Sequence, residues 1–344
     1  CPLACPYCSN PLALESRAGE LDTQTWIDVL RQARDLGVLH VHLSGGEPAS
    51  RRDLPRITGA CADLGLYSNL ITSGIGLNAE RLSALAEAGL DHVQLSLQAA
   101  SAALADRIGG YPGGHARKLA FARLVGETGL PLTINAVVHR ANLHEIEALV
   151  DLARDLGARR VEIAHAQYLG WALANRRALL PDRREALAAV ALVETLRARH
   201  AGSLVIDAVT PDHHARFPKP CMGGWGRTGL TVTPSGTVLP CHAAQTIPGL
   251  EFWSVRERTL ADIWHHAPSF TAFRGEKWMK DPCRTCERRG TDFGGCRCQA
   301  MALTGDPAAT DPVCSLSPHR ALVDEILADA ETGEPEYRYR TMPR

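Results

Sequence analysis

The sequence has almost no net charge and no long apolar segment. Its 344 residues carry a formal net charge of −1 at pH 7, so nothing attracts the chain generally to nucleic acid or to a membrane surface. No apolar run approaches the roughly 20 residues needed to span a bilayer, and no signal peptide is visible. We therefore expect a cytoplasmic protein with no nucleic-acid or membrane partner.

Cysteine is nearly absent from the middle of the chain, where Cys61 stands alone between residues 9 and 220. The rest of the 11 cysteines gather towards the two ends. A secreted disulfide-bonded protein is usually shorter and spreads its cysteines more evenly. Clusters at ligand spacing indicate metal binding instead. Cys61 lies in an apolar helical stretch, and we expect it to be a small buried hydrophobic residue.

The sequence also lacks the G-x-G-x-x-G fingerprint of a dinucleotide-binding sheet. Apolar residues at three- and four-residue spacing predict helices over 22–36, 53–65, 78–88, 115–128, 142–156 and 181–200. We expect Asp22, Asn78 and Asn142 to be N-caps. Short apolar runs after glycines predict buried parallel strands over 38–43, 67–72, 91–97, 130–138 and 159–164. Repeats of about 30 residues favour a barrel. The predicted fold class is α/β, a partial (β/α)6 TIM-like barrel with a cysteine-rich C-terminal domain.

The composition changes near residue 203. We predict a partial barrel over 1–202, a bridging strand and linker over 203–217, a cysteine-rich domain over 218–318, and a C-terminal helix (321–330) with a mobile polar tail within 319–344. The cysteine-rich part has one predicted hairpin, with strands 230–233 and 237–240. We expect its order to come from metal rather than from a large apolar core. Because the chain begins on Cys rather than Met, we also consider a further strand upstream that would bring the first cysteines to the top of the barrel.

The chain opens with a cysteine motif, in which Cys1, Cys5 and Cys8 follow the spacing C-x3-C-x2-C. One tight loop can place three such thiolates on a 4Fe–4S cluster. Iron–sulfur proteins that only carry electrons normally use four cysteines. Three thiolates leave one iron open to a substrate or cofactor. The competing interpretation is three ligands of a zinc site.

A glycine-rich turn directly follows the first predicted strand, and its residues are Ser44, Gly45, Gly46, Glu47 and Pro48. The glycines allow the backbone to approach a ligand closely, and the glutamate adds an acceptor. Taken alone, the turn also fits an ordinary strand-to-helix connection. Further polar side chains lie near the C-terminal ends of predicted strands, where each is either a ligand or a loop cap. They are Thr72, Ser73, Ser96, Gln98 and Asn135.

The cysteine motif and the glycine-rich turn together resemble the radical S-adenosylmethionine (SAM) enzymes. The resemblance implies that Cys1, Cys5 and Cys8 hold a 4Fe–4S cluster with an open iron site and are the catalytic cysteines. It also implies that residues 44–48 receive the methionine amino group of SAM and that Tyr7 lies near the adenine. Reductive cleavage of SAM would then give a 5′-deoxyadenosyl radical that takes a hydrogen atom from the substrate. Candidates for the ribose and the carboxylate of SAM are Thr72, Ser96, Gln98 and Asn135.

The later cysteines resemble the SPASM domain, which accompanies some radical SAM enzymes and holds two auxiliary iron–sulfur clusters. The resemblance implies that the nearer cluster is bound by Cys221, Cys241 and Cys296. It implies that the farther cluster is bound by Cys283, Cys286, Cys314 and the residue in one further slot of the pattern.

Two positions depart from that pattern. Asp292 occupies the slot where a cysteine is usual, and we interpret it as a carboxylate ligand of the farther cluster. The alternative is a solvated aspartate beside a cluster with three cysteines. Cys298 is surplus to the pattern, and its position next to Cys296 suits a fourth ligand of the nearer cluster. Each auxiliary cluster could be 4Fe–4S or 2Fe–2S.

Four segments narrow the resemblance to the radical SAM family that acts first in pyrroloquinoline quinone biosynthesis: residues 1–12, 95–98, 167–172 and 311–318. The likeness extends over essentially the whole chain. It implies a substrate, the precursor peptide PqqA, and a peptide carrier, PqqD. A radical at the γ-carbon of a glutamate would attack a tyrosine ring and leave a Glu–Tyr carbon–carbon cross-link. The auxiliary clusters would accept the surplus electron or relay electrons from a flavodoxin-like donor.

Two alternatives remain open from the sequence. The first is another SPASM peptide maturase, of the sulfatase-maturing or thioether-forming kind. The second is a zinc-bound peptide-binding module without catalysis. Gln167, Tyr168 and Trp171 would either contact a peptide at the barrel mouth or simply pack there.

Overall fold

The computed structural model describes residues 1–12, 14–328 and 335–340. The strands are β1 (His40–Leu43), β2 (Tyr67–Thr72), β3 (His92–Ser96), β4 (Leu132–Val138), β5 (Arg160–His165), β6 (Val205–Val209), β7 (Thr231–Val232) and β8 (Val238–Leu239). The first nine α-helices are α1 (Thr23–Asp35), α2 (Leu54–Asp63), α3 (Ala79–Glu87), α4 (Ala102–Gly109), α5 (Gly114–Thr128), α6 (Ile146–Asp155), α7 (Gly170–Ala174), α8 (Arg176–Leu179) and α9 (Arg183–Arg199). They are followed by α10 (Leu260–His266), α11 (Pro268–Thr271), α12 (Arg289–Asp292), α13 (Arg297–Thr304) and α14 (Arg320–Ala328).

Strands β1 to β6 form one parallel sheet in which each strand pairs with the next along the chain. The helices between them make the crossover connections, so every strand ends at the same edge of the sheet. The predicted fold, an α/β partial barrel followed by a cysteine-rich part, is confirmed. The sixth strand comes from residues 203–217, the segment that the sequence places between the two domains.

The two faces of the large sheet differ in polarity. Leu70, Leu95 and Ile134 on the outer face are fully buried in the apolar core. The inner face is lined by polar side chains, which include His42, Asn69, Gln94, Asn135 and Glu162. These groups hydrogen-bond across strands, for example from the Asn135 amide to the Glu162 carboxylate at 2.8 Å. The predicted strands are therefore buried by apolar packing on the outer face, whereas on the inner face polar side chains such as Asn69 and Thr133 are the buried ones.

Six helices match the predicted ones within a few residues. The structure adds the unpredicted α4, α7 and α8 in the barrel and α10 to α13 in the cysteine-rich part. Helix α1 begins at the N-cap Asp22, whose carboxylate accepts from the Thr25 N–H at 2.8 Å. Helix α3 begins in the same way at Asn78. Such side-chain caps satisfy N–H groups that the helix itself leaves free.

The C-terminal part contains more apolar packing than the sequence led us to expect. The predicted hairpin is present as the antiparallel pair β7 and β8. Trp225 and Phe273 meet edge to face with ring centroids 5.2 Å apart, within an apolar cluster that also includes buried cysteines. A second cluster is built around Phe270 and Ile263 against α1. Metal ligands are therefore not the sole source of order in this part of the chain.

The chain ends with α14 and a short extended segment. Helix α14 overlaps the predicted helix over 321–330, whose last two residues lie outside the described part of the chain. Residues 335–340, part of the predicted polar tail, lie against the first eight residues of the chain. Among the helices that the structure describes, none is both long enough and apolar enough to cross a membrane.

Candidate active site and cysteine clusters

The N-terminal cysteine loop is held from several sides. The Ala4 N–H donates to the Gly109 carbonyl at the end of α4 (2.9 Å), and the Ala172 N–H in α7 donates to the Cys8 carbonyl (3.1 Å). Within the loop, the Cys8 N–H donates to the Cys5 carbonyl at 3.2 Å. The unpredicted helices α4 and α7 therefore supply the supports that fix the three thiols in one short loop.

The glycine-rich turn packs directly against this loop. A Cβ atom on Gly46 would lie 3.2 Å from the Cys1 Cβ, closer than most side-chain contacts allow. Gly45 has φ +130°, which side-chain-bearing residues rarely adopt. Both positions therefore require glycine. Gly45 is required by its backbone conformation, and Gly46 by its contact with Cys1. The structure brings together the two motifs on which the radical SAM resemblance was based.

The Glu47 side chain is buried and fully engaged within the protein. Its Oε1 accepts from the Thr72 hydroxyl at 2.7 Å and from the Ala49 N–H at 3.1 Å. Its Oε2 accepts from the Ser73 N–H at 2.9 Å and from the Ser73 hydroxyl at 2.5 Å. The carboxylate therefore joins the turn to the end of β2. We expect the main-chain carbonyls of the turn to be the acceptors that a bound ligand would meet.

The other predicted SAM-binding residues separate into groups. Thr72 contacts Glu47, as described, and Asn135 pairs with Glu162 deeper in the barrel. Gln98 is hydrogen-bonded to Tyr7, and Ser96 and Gln98 both bind one lysine, Lys118, that we did not predict. The Lys118 ammonium donates to the Ser96 carbonyl at 2.9 Å and to the Gln98 Oε1 at 2.5 Å.

Lys118 could have been found from its helix position. It lies three and four residues before Phe121 and Ala122, so it shares their stripe on α5, and both of those residues are buried. A lysine within the apolar stripe of a helix indicates a buried cation. Burial lowers the pKa of Lys118 to about 8, against the opposing effect of the nearby Cys5 and Glu47.

Tyr7 is enclosed beneath the cysteine loop. Its hydroxyl accepts a hydrogen bond from the Gln98 Nε2 at 2.9 Å and lies near the Cys5 thiol. Its ring lies 5.7 Å from that of His139. Burial raises the pKa of Tyr7 well above its usual value and lowers the pKa of His139 to about 3. Both rings are therefore neutral at physiological pH.

Residues 335–340 lie across the outer side of the cysteine loop. The Asn175 side chain pairs in both directions with the Arg338 main chain, donating to its carbonyl at 3.0 Å and accepting from its N–H at 2.6 Å. The same Asn175 amide donates to the Pro6 carbonyl at 3.2 Å. Arg340 donates to the carbonyls of Cys1 and Leu3. The C-terminal segment is thus tied to the loop directly and through Asn175.

Gln167, Tyr168 and Trp171, for which peptide contact and simple packing were the alternatives, lie just before α7 or within it. The Tyr168 ring stacks on His213 with centroids 4.8 Å apart, so packing accounts for it. The buried Trp171 Nε1 has no hydrogen-bond partner among the described residues. Gly170 has φ +56°, and a Cβ there would lie 2.2 Å from the Asn10 carbonyl oxygen. This glycine lets α7 approach the chain just after the cysteine loop.

The farther cysteine group lines a depression in the C-terminal part of the chain. Its lining includes the whole predicted ligand set, namely Cys283, Cys286, Asp292 and Cys314. The Asp292 side chain accepts from the Gly294 N–H at 3.1 Å and from Arg288 Nε at 3.3 Å. Asp292 is only 6% exposed, so the alternative of a freely solvated carboxylate does not describe it. Three thiols and a carboxylate around one space fit an iron–sulfur cluster.

The nearer cysteine group brings four thiols near one another in pairs. Cys296 contacts both Cys221 and Cys298, and Cys298 contacts Cys241. Hydrogen bonds from Cys221 and Cys298 hold the pKa of Cys296 well below its usual value. Cys298, surplus to the SPASM pattern, thus lies among the three cysteines that fit it.

Arg297 lies between the two cysteine groups and is almost completely buried. Its guanidinium donates to the main-chain carbonyls of Pro307 (2.9 Å) and Ala309 (2.7 Å). The positive charge adds to the hydrogen bonds that lower the pKa of Cys296 in one group, and in the other it opposes the burial that raises the pKa of Cys283. A buried cation at this point favours thiolates, the form in which cysteines bind metal.

A single tetrahedral metal ion is a poorer fit to these residues. A zinc ion needs donors at about 2.0–2.3 Å from one point. Within residues 1–12, 14–328 and 335–340, no three His, Cys, Asp or Glu side chains converge in that way.

Comparisons with known proteins agree with this geometry. The model of the radical SAM superfamily matches residues 1–153, and the model of an iron–sulfur cluster-binding domain, SPASM, matches residues 221–287. Among solved structures, Streptococcus suis SuiB bound to S-adenosylmethionine has a TM-score of 0.77 at 22% identity, covering 92% of this chain and 75% of that one. Native anSMEcpe with bound AdoMet has a TM-score of 0.63 at 13% identity, covering 96% and 93%. Likeness at these identities shows the fold.

Sequence relatives give the family. The chain is 61% identical to a PqqA peptide cyclase of Methylobacterium sp. (strain 4-46) over 99% of its own length and 91% of that protein. It is 63% identical to one of Methylocella silvestris (97% and 90%) and 57% identical to one of Ruegeria pomeroyi (100% and 92%). The chain therefore belongs to the PqqA peptide cyclase family of radical SAM proteins with a SPASM domain.

Proposed function

We propose that the protein is a radical SAM peptide cyclase that joins a glutamate and a tyrosine of the peptide PqqA through a carbon–carbon bond. The observation that carries the proposal is the contact between Gly46 and Cys1, in a chain 61% identical to a PqqA peptide cyclase. That contact unites the three-cysteine loop with the glycine-rich turn at the edge where the strands of the sheet end. Active sites of barrels lie at this edge.

Cys1, Cys5 and Cys8 would hold a 4Fe–4S cluster, and residues 44–48 would receive the methionine end of SAM. When bound, these two groups together supply a 5′-deoxyadenosyl radical. The chain contributes position: the missing side chain of Gly46 lets the turn touch the loop, and Glu47 fixes the turn on β2. Tyr7, Thr72, Ser96, Gln98 and Asn135 remain our candidates for the surroundings of SAM.

We assign two auxiliary iron–sulfur clusters to the C-terminal part. The nearer would be bound by Cys221, Cys241, Cys296 and Cys298, and the farther by Cys283, Cys286, Asp292 and Cys314. The mutual contacts of the first set and the common depression of the second support these ligand sets. When bound, the auxiliary clusters supply one-electron carriers close to the barrel.

The proposed reaction removes two hydrogen atoms from the peptide in total. The glutamate γ-carbon loses a hydrogen atom to the 5′-deoxyadenosyl radical, and the resulting carbon radical forms a bond to the tyrosine ring. The ring then loses one electron and one proton, which restores its aromaticity. An oxidised iron–sulfur cluster is the class of acceptor that would take the electron.

The polar lining of the barrel suits a peptide substrate. The inner face offers amide, imidazole and carboxylate groups at Asn69, His42 and Glu162, several of them already linked by hydrogen bonds across the strands. Such groups can satisfy the N–H and C=O groups of an extended peptide. We include PqqD as the peptide carrier and a flavodoxin-like protein as the electron donor in this proposal.

A reconstitution experiment tests the proposal. The protein is loaded anaerobically with iron and sulfide and incubated with PqqA, PqqD, SAM and a reductant. Mass spectrometry should find a peptide lighter by two hydrogen atoms, with fragmentation interrupted between the linked residues. SAM cleavage with an unchanged peptide mass would reject PqqA as the substrate. Colourless protein without iron would reject the radical SAM chemistry in favour of a zinc module.

A further inference from the structure

A directed chain of hydrogen bonds begins at Lys118 beneath the cysteine loop. Lys118 is only 1% exposed, and its ammonium donates to the Ser96 carbonyl at 2.9 Å and to the Gln98 Oε1 at 2.5 Å. An ammonium has three donors and no acceptor. The Gln98 oxygen must therefore face Lys118, and the amide nitrogen must face the other way.

The orientation of the Gln98 amide determines which hydrogen bonds the Tyr7 hydroxyl can make. The Gln98 Nε2 donates to the Tyr7 hydroxyl oxygen at 2.9 Å. Because that oxygen already accepts a hydrogen bond, the hydroxyl proton is free to point elsewhere. The Cys5 thiol is near enough to add to the burial that raises the pKa of Tyr7. Lys118 thus donates to Gln98 and Gln98 donates to Tyr7, which leaves the Tyr7 hydroxyl proton available to a neighbouring acceptor.

Lys118 is surrounded by groups that favour its charged form. Cys5, Glu47 and Asp106 each act to raise its pKa, while burial lowers it to about 8. Glu47 is itself buried among uncharged hydrogen-bond donors. A buried cation costs stability unless negative charge lies near it. The cysteine loop supplies that charge, most of all when it carries a cluster.

We propose that Lys118 is a positioning residue, which acts through Gln98 and Tyr7 to direct a hydrogen bond onto the Cys5 sulfur and so makes the N-terminal iron–sulfur cluster easier to reduce. The inference rests on the proposed function, because it concerns the cluster that cleaves SAM. Hydrogen bonds to the ligand sulfurs and nearby charge are among the properties that set the potential of such clusters. The chain of donors therefore controls how readily SAM is cleaved.

The test uses Lys118→Met, which keeps the volume and removes the charge, and Tyr7→Phe, which removes only the last link. The N-terminal cluster of each anaerobically reconstituted variant is identified by the change that SAM causes in its electron paramagnetic resonance spectrum. Redox titration should give a more negative midpoint potential for both variants. SAM cleavage without peptide should slow by roughly 10-fold, the lower end of effects from partners of metal ligands.

The double variant decides whether Lys118 acts through Tyr7. If it does, Lys118→Met combined with Tyr7→Phe should shift the potential no further than the larger single change. A Lys118→Met protein with the wild-type potential, or a double variant whose shift is the sum of the two, would overturn the proposal. The exposed Lys277→Met is the matched control and should leave the potential unchanged.

The test remains decisive even if Lys118→Met folds poorly, and it does not depend on the peptide substrate. Tyr7→Phe keeps Lys118 and its contacts to Ser96 and Gln98, so it reports on the chain even if Lys118→Met binds less iron. Neither potential nor SAM cleavage requires PqqA. If the wild-type protein failed to cross-link PqqA, the proposed function would fail while the potentials could still support this role of Lys118.

Discussion

Glu47 accepts two hydrogen bonds from Ser73 through one oxygen, at 2.9 Å from the main-chain N–H and 2.5 Å from the hydroxyl. The other Glu47 oxygen accepts from the Ala49 N–H at 3.1 Å. Each oxygen thus meets one main-chain N–H that cannot reverse its direction. The site requires two acceptors and therefore a carboxylate.

Glu47→Gln should destabilise the protein although it changes so few atoms. In either orientation the new NH2 group would face a main-chain N–H of Ala49 or Ser73. We expect a loss of about 1.5–3 kcal/mol in the free energy of unfolding and weaker SAM binding. Chemical denaturation measures the free energy of unfolding, and titration with SAM measures the binding. Ser73→Ala keeps the N–H and should cost only about 1 kcal/mol; equal losses for the two variants would contradict the argument.

Asp292→Ala should change the spectrum of the farther cluster and leave SAM binding nearly intact. The carboxylate lines the same depression as Cys283, Cys286 and Cys314, far along the sequence from the glycine-rich turn. Electron paramagnetic resonance and iron content check the prediction. Asp292→Cys should still bind the farther cluster, with a spectrum that differs from that of the wild type.

Arg288→Ala is the matched control for Asp292, because it removes the ion pair at 3.3 Å and keeps the carboxylate. It should leave the ligand set, and hence most of the spectrum, as in the wild type. If Arg288→Ala and Asp292→Ala gave the same spectral change, or if Asp292→Ala gave none, Asp292 would not be a ligand.

Asn175→Ala should make the N-terminal cluster easier to lose. The Asn175 amide joins the Pro6 carbonyl to the Arg338 main chain, so its removal leaves the C-terminal segment tied to the cysteine loop only through Arg340. We expect faster iron release to a chelator by roughly 10-fold. Arg338→Ala is the control, since it keeps the main chain that Asn175 contacts. Iron release at the wild-type rate in Asn175→Ala would show that the segment does not support the loop.

Gly170→Ala should disturb the cysteine loop through the main chain. A Cβ at Gly170 would lie 2.2 Å from the Asn10 carbonyl oxygen, so α7 or the segment after Cys8 must move. Gly157→Ala is the matched control, because Gly157 also has positive φ but nothing lies within 4 Å of its Cβ position. The control should lose only about 1–2 kcal/mol. Gly170→Ala should lose more and bind less iron; equal stability and iron content would contradict the contact.

The sequence was sufficient for the features that depend on local pattern. Strand β2 begins and ends where its apolar run does, and α1 begins after the predicted cap at Asp22. The cysteine groups were likewise visible from spacing alone. Helix α4 was missed because its eight residues end at Gly109 and Gly110, too short for a clear apolar period.

Other features depend on contacts distant in sequence. Asn142 was an expected helix cap, yet its amide donates to the carbonyls of Gln98 and Val137 and its oxygen accepts from the His139 N–H. Lys118 is buried only because Gln98 and Ser96 come within reach of its ammonium. No local pattern predicts which partners a polar side chain finds after the sheet has formed.

The most direct test of the proposed function follows one hydrogen atom. PqqA carrying deuterium on the γ-carbon of its glutamate is incubated with the reconstituted protein, PqqD, SAM and reductant, and 5′-deoxyadenosine is examined by mass spectrometry. The proposed function predicts 5′-deoxyadenosine with one deuterium and a cross-linked peptide that has lost one deuterium. Unlabelled 5′-deoxyadenosine formed together with a cross-linked peptide would contradict hydrogen abstraction at that carbon.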